Sequence, residues 1–324
     1  MIFDVARHKF SEGLLTLVFF ALIATVAALM GEVALPVEGG APLRGFIDNL
    51  AWQYPVASSL ALFPILIYAG LRLARSTVRV NIYSASSLGV VALGAVAMFG
   101  CIISTNYLYL AVVALLLSEL LGRLLYCFGA SVRVGYLFTS MLALGAMPLV
   151  DSALIPLALV LPVIVMLMRG TLREVIIILF GLASPTLFYC YIVWLMGGEF
   201  DAAFWSIWNF VLSSQHEVLI SYLTLPRLIL LGVFFFLDIC SIIFYFRVRV
   251  TLLDSARTIW RLLIALQLML VVLLVVLPIS SPALVVALML MMVVAMPQFF
   301  IGVSAPIATI AYLIFACASL SVLL

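Results

Sequence analysis

Long apolar runs separated by short polar breaks dominate this chain. Runs near residues 14–30, 55–74, 84–104, 106–127, 134–150, 153–168, 174–196, 226–246, 258–277, 281–297 and 303–323 are apolar on every face. Strands of a membrane barrel alternate apolar and polar positions, so uniform runs exclude that fold. Helices satisfy their own backbone inside lipid, and at about 1.5 Å per residue most of these runs cross a hydrocarbon core of about 30 Å. The pattern predicts an all-α polytopic transmembrane bundle of nine to eleven spans, built as one membrane domain over 1–324. Two places set the range. The pair 134–150 and 153–168 is short and turns at Asp151 between Pro148 and Pro156, so it reads as two crossings or as a hairpin that dips in and returns. The link around Pro297-Gln298 carries no charge, so the last two runs read as two spans or as one broken span and a short hairpin.

Composition makes the class firmer. Apolar residues are 68% of the chain, charged residues 9%, and mean hydropathy is +1.40. A soluble domain carries about 45–50% apolar and about 25% charged residues. The net charge of +2 points to no nucleic-acid partner. Five cysteines sit apart in apolar runs, and the histidines are only His8 and His216, which argues against a disulfide framework, a CxxC motif or a His-rich metal site. No nucleotide-binding loop, HExxH, Ser/His/Asp set or paired-carboxylate motif is present, so no cofactor is implied.

The placement of basic residues orients the bundle. With the N-terminus in the cytoplasm, the inner side receives Arg7, Lys9, Arg72, Arg75, Arg79, Arg123, Arg133, Arg169, Arg173, Arg247, Arg249, Arg257 and Arg261, and the outer side only Arg44 and Arg227. That asymmetry is the positive-inside pattern. The basic start before the 14–30 run reads as an uncleaved anchor helix, because its apolar core is longer than that of a signal peptide.

Two outer segments, 31–54 and 197–225, are long. The first holds Glu32, Glu38 and Asp48, and Asp48 is the outer carboxylate best placed for base chemistry, with a solvated loop carboxylate as the ordinary alternative. Within the second, 201–214 sets Ser206, Asn209 and Ser213 on one face and Phe204, Trp205, Trp208 and Val211 on the other, the pattern of a helix lying in the interface with Asp201 as its cap. Trp205 and Trp208 read as an aromatic anchor or as a wall for an amphiphilic substrate.

Polar residues inside spans come next, because a charge at mid-bilayer costs roughly 2.5–3.5 kcal/mol. Asp238, Glu119 and Gln267 all sit about 12–13 Å from the cytoplasmic ends of their runs, and one polar layer results if their helices meet. Glu119 has Arg123 at i+4 to pair with. Asp238 has no basic residue one turn away, so it needs a partner on another helix or a proton. Asp151 precedes an apolar run and reads as a helix cap. The Ala- and Gly-rich run Ser84–Gly100 reads as a helix-packing face.

The stretch Arg173-Glu174, Leu179-Phe180-Gly181-Leu182-Ala183-Ser184-Pro185-Thr186-Leu187-Phe188 and Trp194-Leu195-Met196-Gly197, with upstream Ser118-Glu119-Leu120-Leu121-Gly122-Arg123, resembles an uncharacterised family of bacterial polytopic envelope proteins. The resemblance covers about the middle third of the chain and implies the bacterial inner membrane. The outline of a first span, an acidic outer loop and many further spans is similar to membrane glycosyltransferases that use polyprenyl-linked sugars, where a loop carboxylate acts as base or metal ligand. Here Asp48 or Glu38 matches it, without the acidic pair and large loops of those enzymes. Three readings stand: handling or glycosyl transfer of a lipid-linked envelope substrate at the outer leaflet, with Asp48 carrying it; a proton- or sodium-coupled transporter, with Asp238, Glu119 and Gln267 carrying it; or a non-catalytic subunit with a membrane-protein partner.

Overall fold

The computed structural model describes residues 10–31, 33, 41–85, 87–129, 134–168, 171–212, 222–276 and 281–323. Arg7, His8, Lys9, Glu32, Glu38, Arg133, Arg169, Ser213 and His216 lie outside the described residues, as does the side chain of Trp208. The helices are α1 (Phe10–Met30), α2 (Pro42–Gln53), α3 (Pro55–Val80), α4 (Gly89–Ile102), α5 (Tyr107–Gly129), α6 (Val134–Val150), a 3-10 helix (Ser152–Val160), α7 (Leu161–Met168), α8 (Leu172–Leu195), α9 (Phe200–Leu212), α10 (Leu225–Val248), α11 (Asp254–Val276), α12 (Pro282–Ala295), α13 (Pro297–Gly302) and α14 (Ala305–Leu320), with a closing 3-10 turn at Ser321–Leu323.

Among the described residues, eight helical segments are long and apolar enough to cross a membrane, so the protein is an all-α, multi-pass membrane bundle. Both Pro282–Gly302 and Ala305–Leu323 are among the eight, which favours two spans at the end of the chain. Three apolar segments are shorter: Gly89–Ile102, Val134–Val150 and Ser152–Met168. The last gains reach from its nine 3-10 residues, which rise about 2.0 Å each, so with the eight residues of α7 it extends about 30 Å.

The centre belongs to the helices with no polar stripe. Every residue of α4 and of α12 is buried. Of the apolar 18-residue stretch within Pro282–Gly302, 94% is buried, against 17% of that within the peripheral α8. α4 is shorter than the predicted 84–104 run, because the chain before it is irregular. Irregular backbone is tolerated at membrane depth only where protein supplies its hydrogen bonds. Trp260 Nε1 donates to Ile82 O at 3.1 Å, Tyr83 Oη to Val294 O at 2.6 Å, and Gln298 Nε2 to Ser84 Oγ at 3.1 Å. The bonds to Val294 O and from Gln298 also serve the break between α12 and α13 at Pro297, whose missing N–H interrupts the ladder.

α6 and α8 meet backbone to backbone. A Cβ on Gly145 would lie 2.1 Å from Leu182 O, and one on Gly181 would lie 2.9 Å from Phe138 O. The Gly181 of the quoted stretch is thus a contact glycine of the kind that lets membrane helices approach closely. α8 opens with a capping box, Thr171 with Glu174.

Candidate functional site

At the end of the bundle that holds α2, the N-termini of α3, α5 and α10 and the C-terminus of α1, buried polar groups gather beside a cavity. α2 begins at Pro42, whose missing N–H is harmless in a first turn. One face of α2 turns inward and carries Arg44, Asp48 and Ala51 into the protein. Arg44 is 3% exposed and Asp48 6%. The solvated loop carboxylate expected at position 48 is therefore corrected: helix formation over 42–53 puts Asp48 one turn from Arg44, on the face packed against α3, α5 and α6. The pair is an ion pair at 3.6 Å, beyond hydrogen-bonding distance. Burial pushes the Asp48 carboxyl above its ordinary value of 3.8, against the opposing pull of Arg44.

The Arg44 guanidinium lies over the Tyr109 ring, 4.6 Å from its centroid. Its Nε and Nη2, together with Asp48 Oδ2, are buried without a hydrogen-bond partner among the described residues. Tyr109 in turn donates to Asp151 Oδ2, as does the Ser281 hydroxyl. Asp151 caps the 3-10 helix as predicted, accepting from Ala153 N at 2.9 Å. It does more than the prediction required, since one carboxylate joins α5, the start of the 3-10 helix and the start of α12. No sequence periodicity marks Tyr109 or Ser281 as its partners.

A cavity of about 460 Å³ opens on this cluster, and Tyr109 is part of its wall. The other polar groups around it are Ser104, Thr105, Asn106, Tyr107, Tyr222 and Arg227. Arg227 donates to Tyr222 O at 2.6 Å and to Ile103 O, and its guanidinium sits 4.3 Å from the Tyr222 ring centroid. It forms no ion pair among the described residues. Tyr222 donates to Cys101 O at 2.6 Å, and burial pushes its phenol up to about 12, so it stays a neutral donor. The site thus combines a cation, three phenols and an apolar floor that includes Ala24, Leu62 and Leu110. Asp48 is not among the lining residues; it stands behind the wall, where its described partner is Arg44.

The remaining predicted residues lie elsewhere. Asp238 and Gln267 do meet: Gln267 Nε2 donates to Asp238 Oδ1 at 3.1 Å, joining α10 to α11. Both are 4% exposed, and Gln267 Oε1 has no partner among the described residues. Ser241, one turn on, donates to Ala295 O at 2.5 Å, where α12 ends. Glu119 does not join this pair. It pairs with Arg123 at 2.6 Å as predicted, and also with Arg72 at 3.1 Å and the Tyr68 hydroxyl. The single polar layer expected from equal depth is therefore two separate clusters.

The helix expected over 201–214 is α9, and Asp201 lies in its first turn, not at its cap. Among its residues with described side chains, Ala203 and Ile207 are buried, on a helix packed against α8 and the first 3-10 helix, while Trp205 is 59% exposed. A second cavity, about 360 Å³ and almost wholly apolar, lies under α9 between α6, α8 and the first 3-10 helix. Set against protein families, curated proteins and solved structures, the chain matches no family model, no curated protein and no solved structure.

Proposed function

We propose that this multi-pass protein of the bacterial inner membrane, with its N-terminus in the cytoplasm, binds the anionic headgroup of a lipid-linked envelope substrate at the outer leaflet. The observation that carries the reading is the Arg227 charge, without an ion-pair partner among the described residues, in the wall of a cavity also lined by Tyr107, Tyr109 and Tyr222. Guanidinium groups hold phosphate or carboxylate oxygens, and phenols add neutral donors and apolar area. Arg44 and Arg227, the only two basic residues assigned to the outer side, both belong to this end of the bundle. Exposed Trp52, Trp194 and Trp205 suit the interface there. Handling of the substrate fits the geometry better than glycosyl transfer, because Asp48 faces Arg44 and acts on the cavity only through Arg44 and Tyr109.

The test compares lipid extracts from cells with and without the gene by mass spectrometry. Accumulation of a polyprenyl-linked glycan, or loss of a lipid modification, is expected, and Arg227→Gln reproduces it. An unchanged lipid profile in the deletion strain rejects the reading. A gradient-coupled transporter is the second reading, and the buried Asp238–Gln267 pair favours it. It requires that Asp238→Asn abolish gradient-driven flux while Arg227→Gln leaves it intact.

A further inference from the structure

We propose that the opposite, basic end of the bundle carries a separate binding site for an anionic phospholipid, with the phosphate held between Arg75 and Arg79. These residues stand one turn apart on the last two turns of α3, so both guanidinium groups leave the helix on the same side. Their neighbours Arg72 and Arg123 share the carboxylate of Glu119, whereas neither Arg75 nor Arg79 has an ion pair among the described residues. Both are exposed. Arg79 is held in place by Tyr126, whose ring centroid lies 5.4 Å from the guanidinium carbon.

A cleft of about 570 Å³ adjoins the two arginines, and the rest of its wall is apolar, including Phe10 at the start of α1, Leu71, Val78 and Leu88. A free phosphate would use the charges and leave that wall unused. A phospholipid uses both, with the phosphate on the arginines and the upper part of an acyl chain along Leu71 and Val78. Charge complementarity selects an anionic headgroup over a zwitterionic one, because each basic residue near the surface contributes to attraction for anionic lipid.

The experiment takes the full-length protein, purified in detergent and stripped of lipid, and titrates it with phosphatidylglycerol or phosphatidylcholine while native mass spectrometry counts bound lipid. Phosphatidylglycerol is expected to be retained in preference. Arg75→Gln and Arg79→Gln should each weaken its binding about 5-fold, and the double variant about 25-fold. The Arg75→Lys/Arg79→Lys variant keeps the charge and should retain most of the binding. Val78→Phe fills the cleft without touching charge and should weaken phosphatidylglycerol binding with both arginines present. Equal retention of the two lipids overturns the proposal, as does unchanged binding in the double Gln variant. Displacement of phosphatidylglycerol by an equal concentration of inorganic phosphate would overturn it too, since the chain would then contribute nothing.

Discussion

Asp48 and Asp151 at one end of the bundle and Asp238 within α10 are buried alike, at 6%, 2% and 4% exposure, yet their surroundings differ. Asp48 faces a guanidinium, and Asp151 collects two hydroxyls and a backbone N–H from three separate elements. Asp238 has a neutral amide as its described partner. The first region opens on a cavity, whereas neither Asp238 nor Gln267 lines a described one. A buried carboxylate matched by a cation, or by several donors, holds elements in one arrangement and can present charge to a ligand. A carboxyl facing an amide between two spans serves the packing of those spans, in the manner of other polar contacts between membrane helices.

That contrast can be broken by substitution, and the largest effect is expected at Arg44. Arg44→Ala leaves Asp48 buried without its cation and should destabilise the protein by about 3–5 kcal/mol, read as a lowered Tm in detergent. Replacing both partners together with Met and Leu should restore most of that loss, because the desolvated charge is gone. A small effect for Arg44→Ala would mean that Asp48 is solvated and the contrast unfounded.

At Asp151, substitution by Ala strands the hydroxyls of Tyr109 and Ser281 and removes the cap, for a loss of roughly 1–3 kcal/mol. A double-mutant cycle with Tyr109→Phe should give a coupling of about 0.5–3 kcal/mol, and additivity would break the network apart.

A smaller effect is read in pH. Folding raises the Asp48 pKa above the ordinary 3.8, so the folded state holds a proton that the unfolded state has released. That contribution is fully present below 3.8 and is lost as pH rises through the folded value. The difference in Tm between the wild type and Asp48→Asn should therefore change over a window beginning near 3.8 and extending upward. A constant difference across pH 3–7 would contradict it.

Asp238→Asn keeps an acceptor for Gln267 Nε2 and should change stability by about 0.6 kcal/mol, the mean for polar contacts between membrane helices. A loss as large as that at Arg44 would place Asp238 among the charged, matched carboxylates and erase the distinction. Least of all, Trp205→Ala removes an exposed ring and should stay within about 0.5 kcal/mol in detergent.

Some of the site was legible along the chain. Glu119 with Arg123 and the cap at Asp151 are local relations, set by one helical turn or one helix start, and both are present. Asp48 was legible as a candidate residue but not as a buried one. The apolar positions Phe46, Ile47, Leu50 and Ala51 recur at helical spacing, which does not say which face is covered. In α2, Phe46 and Leu50 are exposed, whereas Arg44, Asp48 and Ala51 are buried. The meeting of Asp151 with Tyr109 and Ser281 spans 42 and 130 positions of sequence, a separation at which no periodic signal operates.

The sequence by itself determined the class, because hydropathy and length are local properties of each segment and lipid admits few structures for such segments. Tertiary structure alone decided which spans lie at the centre, which carboxylates share partners, and where the cavities open. A helix that is apolar on every face carries no stripe to choose its neighbours. The choice falls to shape, and to the few polar groups that must find one another across helices.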